Sequence, residues 1–167
     1  IFTNFENIKN LDTIYLKKKI YVGLPNDIFF DIKGIDNNRR EDKTIFVYGG
    51  SQGSSQLIDN LLSILENIDL KNFNNINFFI QAPIKKHNEL KNFFKKNNIK
   101  NQIKDFFINI DEILSMTDIA FTRAGAGTIN DLIKYQIPSI IFPLPQSIYN
   151  HQFSNAKYLS ERGAAIL

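Results

Sequence analysis

Short apolar runs of four to six residues, bounded by polar or turn-forming residues, recur along the chain. They fall at Lys19 to Val22, Thr44 to Tyr48, Ile76 to Ile80, Gln102 to Phe107, Asp118 to Thr122, Ser139 to Phe142 and Ala164 to Leu167. Runs of this length without alternation predict strands buried on both faces. Between most of them the apolar positions switch to helical spacing: Leu57, Leu61, Leu62, Leu65 and Ile68; Leu90, Phe93 and Phe94; Ile129, Leu132 and Ile133; Phe153, Ala156 and Leu159. Parallel neighbours need crossover connections, and a helix is the usual one. Repeated strand-helix units therefore predict an α/β fold, a Rossmann-like open parallel sheet with helices on both faces. In such sheets ligands bind at the carboxyl ends of the strands.

Residues Asp31 to Lys43 (DIKGIDNNRREDK) are polar, carry both signs of charge and precede the strongest strand, which reads as a loop or linker. The first thirty residues read as the tail of a preceding domain, with Ile1 to Asn4 and Lys19 to Gly23 as candidate strands. The chain opens on Ile and stops just after a strand entry, so it reads as a piece of something longer.

Composition removes several chemistries. No Cys occurs among the 167 residues and His only twice, which excludes disulfide scaffolds, thiolate catalysis, zinc fingers and iron-sulfur clusters. No metal site is expected from the side chains alone. No apolar stretch approaches the roughly 18 residues that a membrane-spanning helix needs. Ile, Asn and Lys make up 64 of the residues, a bias of the kind an AT-rich genome imposes, so the Lys surplus carries little information. A net charge of +3 does not argue for nucleic acid, whose readers concentrate Lys and Arg on one face. The Lys pairs read as solvated faces, with a weak attraction to anionic lipid of about 1 kcal/mol per well-placed Lys.

Three segments at predicted strand ends carry candidate chemistry. Tyr48-Gly-Gly-Ser-Gln-Gly-Ser54 joins a strand to a helix; its glycines permit positive φ and close ligand approach, and Ser54 or Ser55 can cap the helix. A helix N-terminus reached by such a loop suits an anion, although a tight turn with no ligand has the same sequence. The loop lacks the Lys of a nucleotide-triphosphate loop and the spacing of a dinucleotide fingerprint. Thr122-Arg-Ala-Gly-Ala-Gly-Thr-Ile-Asn-Asp131 repeats the pattern. Thr128 is its expected cap, and Asp131 either completes a capping box or accepts from ribose hydroxyls. Two such loops at one sheet edge resemble a nucleotide diphosphate site. In the third segment Pro143 and Pro145 stop a strand, and a polar loop delivers His151 and Gln152 to the last helix, to meet sugar hydroxyls or to cap.

In this order and spacing, GGSQG, RAGAGT followed by an acid, and HQxxNA resemble the C-terminal domain of the MurG family. Its members are UDP-N-acetylglucosamine:N-acetylmuramyl-(pentapeptide) pyrophosphoryl-undecaprenol N-acetylglucosaminyltransferases. The resemblance runs from about Lys19 to Leu167. It implies one half of a two-domain GT-B glycosyltransferase: residues 1–30 as the tail of the acceptor domain and interdomain crossing, 31–43 as a loop, and 44–167 as a UDP-sugar-binding domain cut short at its C-terminus. It implies donor contacts from Gly50, Ser51, Gln52 and Gly53, and from Ala126, Gly127 and Thr128. Phe106 or Phe107 would read uracil through the backbone, and His151 and Gln152 would meet the sugar. Asp131 stands where the family has Glu, one methylene longer, a loss of reach of about 1.5 Å. Asp27, in Gly23-Leu-Pro-Asn-Asp27, stands where the family has Arg.

The function so implied is inverting transfer of GlcNAc from UDP-GlcNAc to lipid I, giving lipid II for peptidoglycan. Lipid I would be held by the other domain, the catalytic base would lie there too, and no cofactor is implied. The resemblance places the enzyme peripherally at the cytoplasmic face of the bacterial inner membrane, on its anionic surface. A degenerate or non-catalytic UDP-sugar-binding module and another GT-B transferase remain the alternative readings.

Overall fold

The computed structural model describes residues 2–3, 13–22, 41–49, 54–145, 147 and 150–167. The chain divides into two compact units, residues 1–33 and 34–167. In the first, β1 (Phe2–Thr3) pairs in parallel with β2 (Ile20–Tyr21), and the short helix α1 (Thr13–Leu16) lies between them in sequence. Ile14, Ile20, Tyr21 and Val22 are all more than half exposed.

The second unit is an α/β layer built on six parallel strands. These are β3 (Lys43–Tyr48), β4 (Ile76–Gln81), β5 (Lys100–Lys104), β6 (Ile119–Thr122), β7 (Ser139–Ile141) and β8 (Ala165–Ile166), in the order β5-β4-β3-β6-β7-β8. The crossovers carry α2 (Ser55–Glu66), α3 (Ile84–Lys96), α4 (Ile110–Ser115), α5 (Ala126–Lys134) and α6 (His151–Ser160). The chain starts in the middle, winds outward through β4 to β5, then returns to the other side of β3. Right-handed crossovers in that order send the helices to opposite faces, the doubly wound Rossmann arrangement expected from the apolar spacing.

Period-2 alternation in the central strands serves both faces. Val47, Phe78 and Ile80 join Leu57, Leu61, Leu65, Leu90 and Phe94 in a core under α2 and α3. On the other face Phe46 stacks on Tyr48 at 4.4 Å between ring centroids and receives the edge of Phe107 at 5.8 Å. Each fully buried Phe contributes roughly 1.5–3 kcal/mol relative to exposure. At the amino ends of the two central strands the Asp118 carboxylate accepts from Thr44 N at 2.7 Å and from Lys43 Nζ at 3.2 Å, fixing β6 against β3.

Three helices stop by one device. After α3, α5 and α6 the chain takes a left-handed residue at Asn98 (φ 54°), Gln136 (φ 54°) and Gly163 (φ 71°). The following amides, of Ile99, Ile137 and Ala164, bond back to the carbonyls of Phe94, Leu132 and Leu159 at 2.9–3.0 Å. This Schellman closure satisfies the terminal carbonyls and turns the chain into β5, β7 and β8.

Two expectations need correction. The run Gln102 to Phe107 is neither all strand nor buried on both faces: β5 spans Lys100–Lys104 at the sheet edge, exposed at every position but Ile103, and Phe107 follows it. Helix α4 has no counterpart in the apolar spacing, since six residues offer one helical repeat and Ile113 and Leu114 are its buried pair.

Candidate functional site

The order of strands reverses at β3 and β6, neighbours whose following helices go to opposite faces. In open α/β sheets such a switch point, at the carboxyl ends of the strands, is where ligands bind. Tyr48, Thr122 and Ile141 end the three strands that border it. The Thr122 hydroxyl donates to the Tyr48 carbonyl, and Phe142 N donates to Thr122 O at 2.8 Å, so the three strand ends are tied together.

Helix α5 enters this edge with Gly125 at its N-cap (φ −63°, ψ 151°) and no side-chain cap. Ala126, Gly127 and Thr128 form its first turn, where amides have no intrahelical partner and the macrodipole favours an anion. One expectation fails here. Thr128 lies inside the first turn, buried, and does not cap the helix. Gly125 has a negative φ, so what it contributes is the missing side chain. A Cβ built on Gly127 meets no heavy atom within 4 Å, so the protein's own packing does not demand glycine at this exposed point of the turn.

Ser54 caps α2, accepting from Leu57 N at 3.1 Å. It also accepts from the guanidinium of Arg123, which is only 5% exposed. Arg123 Nη2 donates to Ser54 Oγ at 3.2 Å and to Gln56 Oε1 at 3.0 Å, while Nη1 donates to the carbonyls of Phe142 at 2.8 Å and Pro143 at 3.2 Å. All four acceptors are neutral. Among the described residues no carboxylate pairs with this cation, and its Nε–H is buried without a partner. Burial pushes its pKa down, yet a guanidinium stays charged in proteins.

Asp131 lies one turn further along α5, half-buried. No donor reaches its carboxylate among the described residues. Burial, reinforced by Asp111 and opposed by Lys134, pushes its pKa up to about 6. Asp111 itself accepts from the Tyr135 hydroxyl and pairs with Lys134 Nζ at 3.5 Å. Burial, with Asp131 adding to it, also pushes the Tyr48 hydroxyl well above its ordinary pKa; that hydroxyl is buried and makes no hydrogen bond. A half-buried carboxylate without a donor is an acceptor held ready for hydroxyls.

The third segment is bound to the second. Asn155 Nδ2 donates to Ala124 O at 3.0 Å, joining α6 to the turn before α5. Gln152 Oε1 accepts from Leu144 N at 2.9 Å, and Gln152 N donates to Ser147 Oγ at 3.3 Å. The Gln152 carbonyl oxygen thus holds the loop after β7, which leaves its NH2 as the group able to donate to a sugar. His151 is the exposed first residue of α6, next to Asn150 in a left-handed conformation (φ 55°).

Ala126, Gly127, Thr128 and Asp131 are therefore brought together on α5, and His151 and Gln152 stand at the start of α6, which is tied to the turn before α5. Phe107 is 3% exposed, its ring packed on Phe46, with Lys104 Nζ 5.4 Å from its centroid. Its side chain is thus taken up by the core, whereas Phe106 beside it is 56% exposed. Gly50, Ser51, Gln52 and Gly53, and the segment Gly23 to Asp27, lie outside the described residues. An acid partner for Arg123, the ordinary expectation for this motif, is not found among the described residues, and the sequence reading missed Asn155 as the link from α6 to the turn before α5. Asn155 sits inside the HQxxNA motif, which was the available signal.

Known proteins resemble this chain in sequence and in fold. The family described as glycosyltransferase family 28 C-terminal domain matches residues 44–167. The UDP-N-acetylglucosamine--N-acetylmuramyl-(pentapeptide) pyrophosphoryl-undecaprenol N-acetylglucosamine transferase of Rickettsia bellii (strain RML369-C) is 33% identical over 172 residues, covering 96% of this chain and 47% of that protein. The enzyme of the same description from Rickettsia canadensis (strain McKiel) is 34% identical over 170 residues, covering 98% and 47%. The chain thus spans about half the length of the curated relatives it matches. Among solved structures, Acinetobacter baumannii MurG superposes with a TM-score of 0.69 at 24% identity, over 88% of this chain and 41% of that one. The glycotransferase of kitacinnamycin superposes at 0.60 and 15% identity, over 90% and 36%. Both likenesses concern the fold. The match over residues 44–167, with the Rossmann-like sheet beneath it, establishes that the chain belongs to glycosyltransferase family 28 and carries its C-terminal domain.

Proposed function

We propose that this chain is the donor-binding half of an inverting GT-B glycosyltransferase that moves GlcNAc from UDP-GlcNAc to lipid I, giving lipid II. The observation that carries the reading is the convergence, at one sheet edge, of an uncapped helix N-terminus, a buried cation and a carboxylate lacking a donor. The curated relatives, whose names describe this transfer, supply the identity of donor and acceptor. In the reaction an acceptor hydroxyl attacks the anomeric carbon, the bond to the diphosphate breaks, and UDP leaves. The charge that develops on the diphosphate is stabilised by the first-turn amides of α5 and by the Arg123 field, both fixed before the reaction starts. Asp131 accepts from the ribose hydroxyls, the Phe107 backbone reads the base, and the Gln152 NH2 donates to the sugar, with His151 beside it. Gly50, Ser51, Gln52 and Gly53 are assigned to the diphosphate as well, on their sequence motif.

This chemistry asks no cofactor of the domain. Lipid I and the general base belong to a complementary half. No helix among the described residues is long and apolar enough to cross a membrane; peripheral attachment to the anionic cytoplasmic face of the inner membrane is part of the proposal. The test is a two-step assay. The chain should bind UDP-GlcNAc alone, in preference to UDP-galactose, and transfer GlcNAc to lipid I only when a relative's N-terminal half is added. Preference for another sugar nucleotide would point to a different GT-B transferase. Binding without transfer in the presence of that half would make it a non-catalytic module, the reading that the shorter Asp131 favours. Absence of UDP binding would overturn the donor-site reading.

A further inference from the structure

Arg123 is a buried cation that spends its donors on the protein itself. Its four hydrogen bonds reach the N-cap serine of α2, the first turn of that helix through Gln56, and two successive carbonyls of the loop after β7. The residue itself sits between β6 and α5. One guanidinium therefore joins the chain at the carboxyl ends of three adjacent strands, across sequence separations of 67 and 69 residues on one side and 19 and 20 on the other. A neutral side chain of similar length could fill the space, and a structural cation would ordinarily face a carboxylate, since an unpaired buried charge is costly. Here every acceptor is a neutral dipole, and the Nε–H is buried without a partner. Among the described residues no carboxylate compensates this positive charge, carried by a residue two positions before the N-cap of α5.

We infer that Arg123 is a positioning residue for the donor diphosphate, resting on the donor-site reading above: it sets the α2 N-terminus and the loop after β7 around the α5 turn, and its unneutralised charge selects a dianionic ligand. It touches the protein, and acts on the ligand through the elements it holds and through its field. A merely architectural Arg would stabilise these elements equally for charged and uncharged ligands. A charge left without a counter-ion distinguishes them, because Coulomb attraction falls only as the inverse of distance and is weakly screened where water is scarce.

The experiment measures affinities of UDP and of uridine, by calorimetry at fixed low salt, for the 167-residue chain and for Arg123→Met, Arg123→Lys and Arg162→Met. Arg162, at the far end of α6, controls for net charge. In Arg123→Met, UDP affinity should fall roughly tenfold more than uridine affinity. In Arg123→Lys, which keeps the charge and loses the fourfold bonding, both should fall by similar factors. Arg162→Met should change neither. Equal losses of UDP and uridine in Arg123→Met, or no loss, would overturn the inference while leaving the donor site intact. A parent chain that binds neither ligand would overturn the donor-site reading and this inference together. Should Arg123→Met fail to fold by circular dichroism, Gln56→Glu decides. It sets a carboxylate beside Nη2 and should lower the UDP-to-uridine affinity ratio several-fold, and an unchanged ratio overturns the inference.

Discussion

Asp131 shows how a single position couples stability to binding. Its folded pKa of about 6 lies above the ordinary value of 3.8. Between those values the folded chain holds a proton that the unfolded chain releases, so stability falls as pH rises through that window and the penalty is complete above it. Asp131→Asn removes the cost. It should stabilise the chain above pH 6 by about 1–2 kcal/mol, allowing for the solvent that screens a half-buried group, and the gain should vanish below pH 4. Urea denaturation of both proteins at pH 4 and pH 7.5 checks this. The same substitution, or Asp131→Ala, should weaken UDP-GlcNAc binding by roughly 1–3 kcal/mol, as expected for a site that gives up stability for a ready acceptor. Gln152 separates two roles in one amide. Gln152→Glu keeps the oxygen that accepts from Leu144 N and loses the NH2, so it should fold normally and bind UDP-GlcNAc about 1 kcal/mol more weakly, whereas Gln152→Ala should also loosen the loop after β7. Isothermal titration of the two variants, with proteolysis of that loop, distinguishes them.

Among the elements, the helices that announced themselves were those with a long apolar stripe. Leu57, Leu61, Leu62 and Leu65 predicted α2, and they are its buried side. Helix α4 was invisible because Ile110–Ser115 is too short to show a period and owes its helicity to packing. The cap of α5 was misassigned for a different reason. Thr128 has the chemistry of a cap, but the helix begins three residues earlier at glycine, and nothing local marks that choice. Arg123 was legible only as a member of a motif, since its partners Ser54 and Gln56 are more than sixty residues away. At the other end of α5, Gln136 occupies the left-handed position that closes the helix. A side chain there costs about 1 kcal/mol relative to glycine, so Gln136→Gly should raise stability by roughly that amount without altering ligand affinity. Thermal denaturation with and without UDP measures both.

For the whole molecule, alternation of strand and helix was enough to anticipate the doubly wound sheet, because parallel pairing and crossover handedness leave few alternatives. The proposed donor site lies where that topology switches, since β3 and β6 send their helices to opposite faces. What topology does not dictate is chemistry: among the described residues, the carboxylate without a donor on α5, the cation without a counter-ion in the turn before it and the helix start without a side-chain cap depend on which side chains stand around the starts of α2, α5 and α6. The central claim is that these groups converge on a diphosphate at the start of α5. The most direct measurement is a titration of the isotopically labelled chain with UDP, followed by amide chemical shifts. The account predicts saturable shifts centred on Ala126, Gly127, Thr128 and Ser54, with Asp131 and Gln152 next. Shifts centred instead on the groove between Leu70, Phe93 and Asn97 at the opposite end of α2 and α3, or no saturable shift at millimolar UDP, would contradict it.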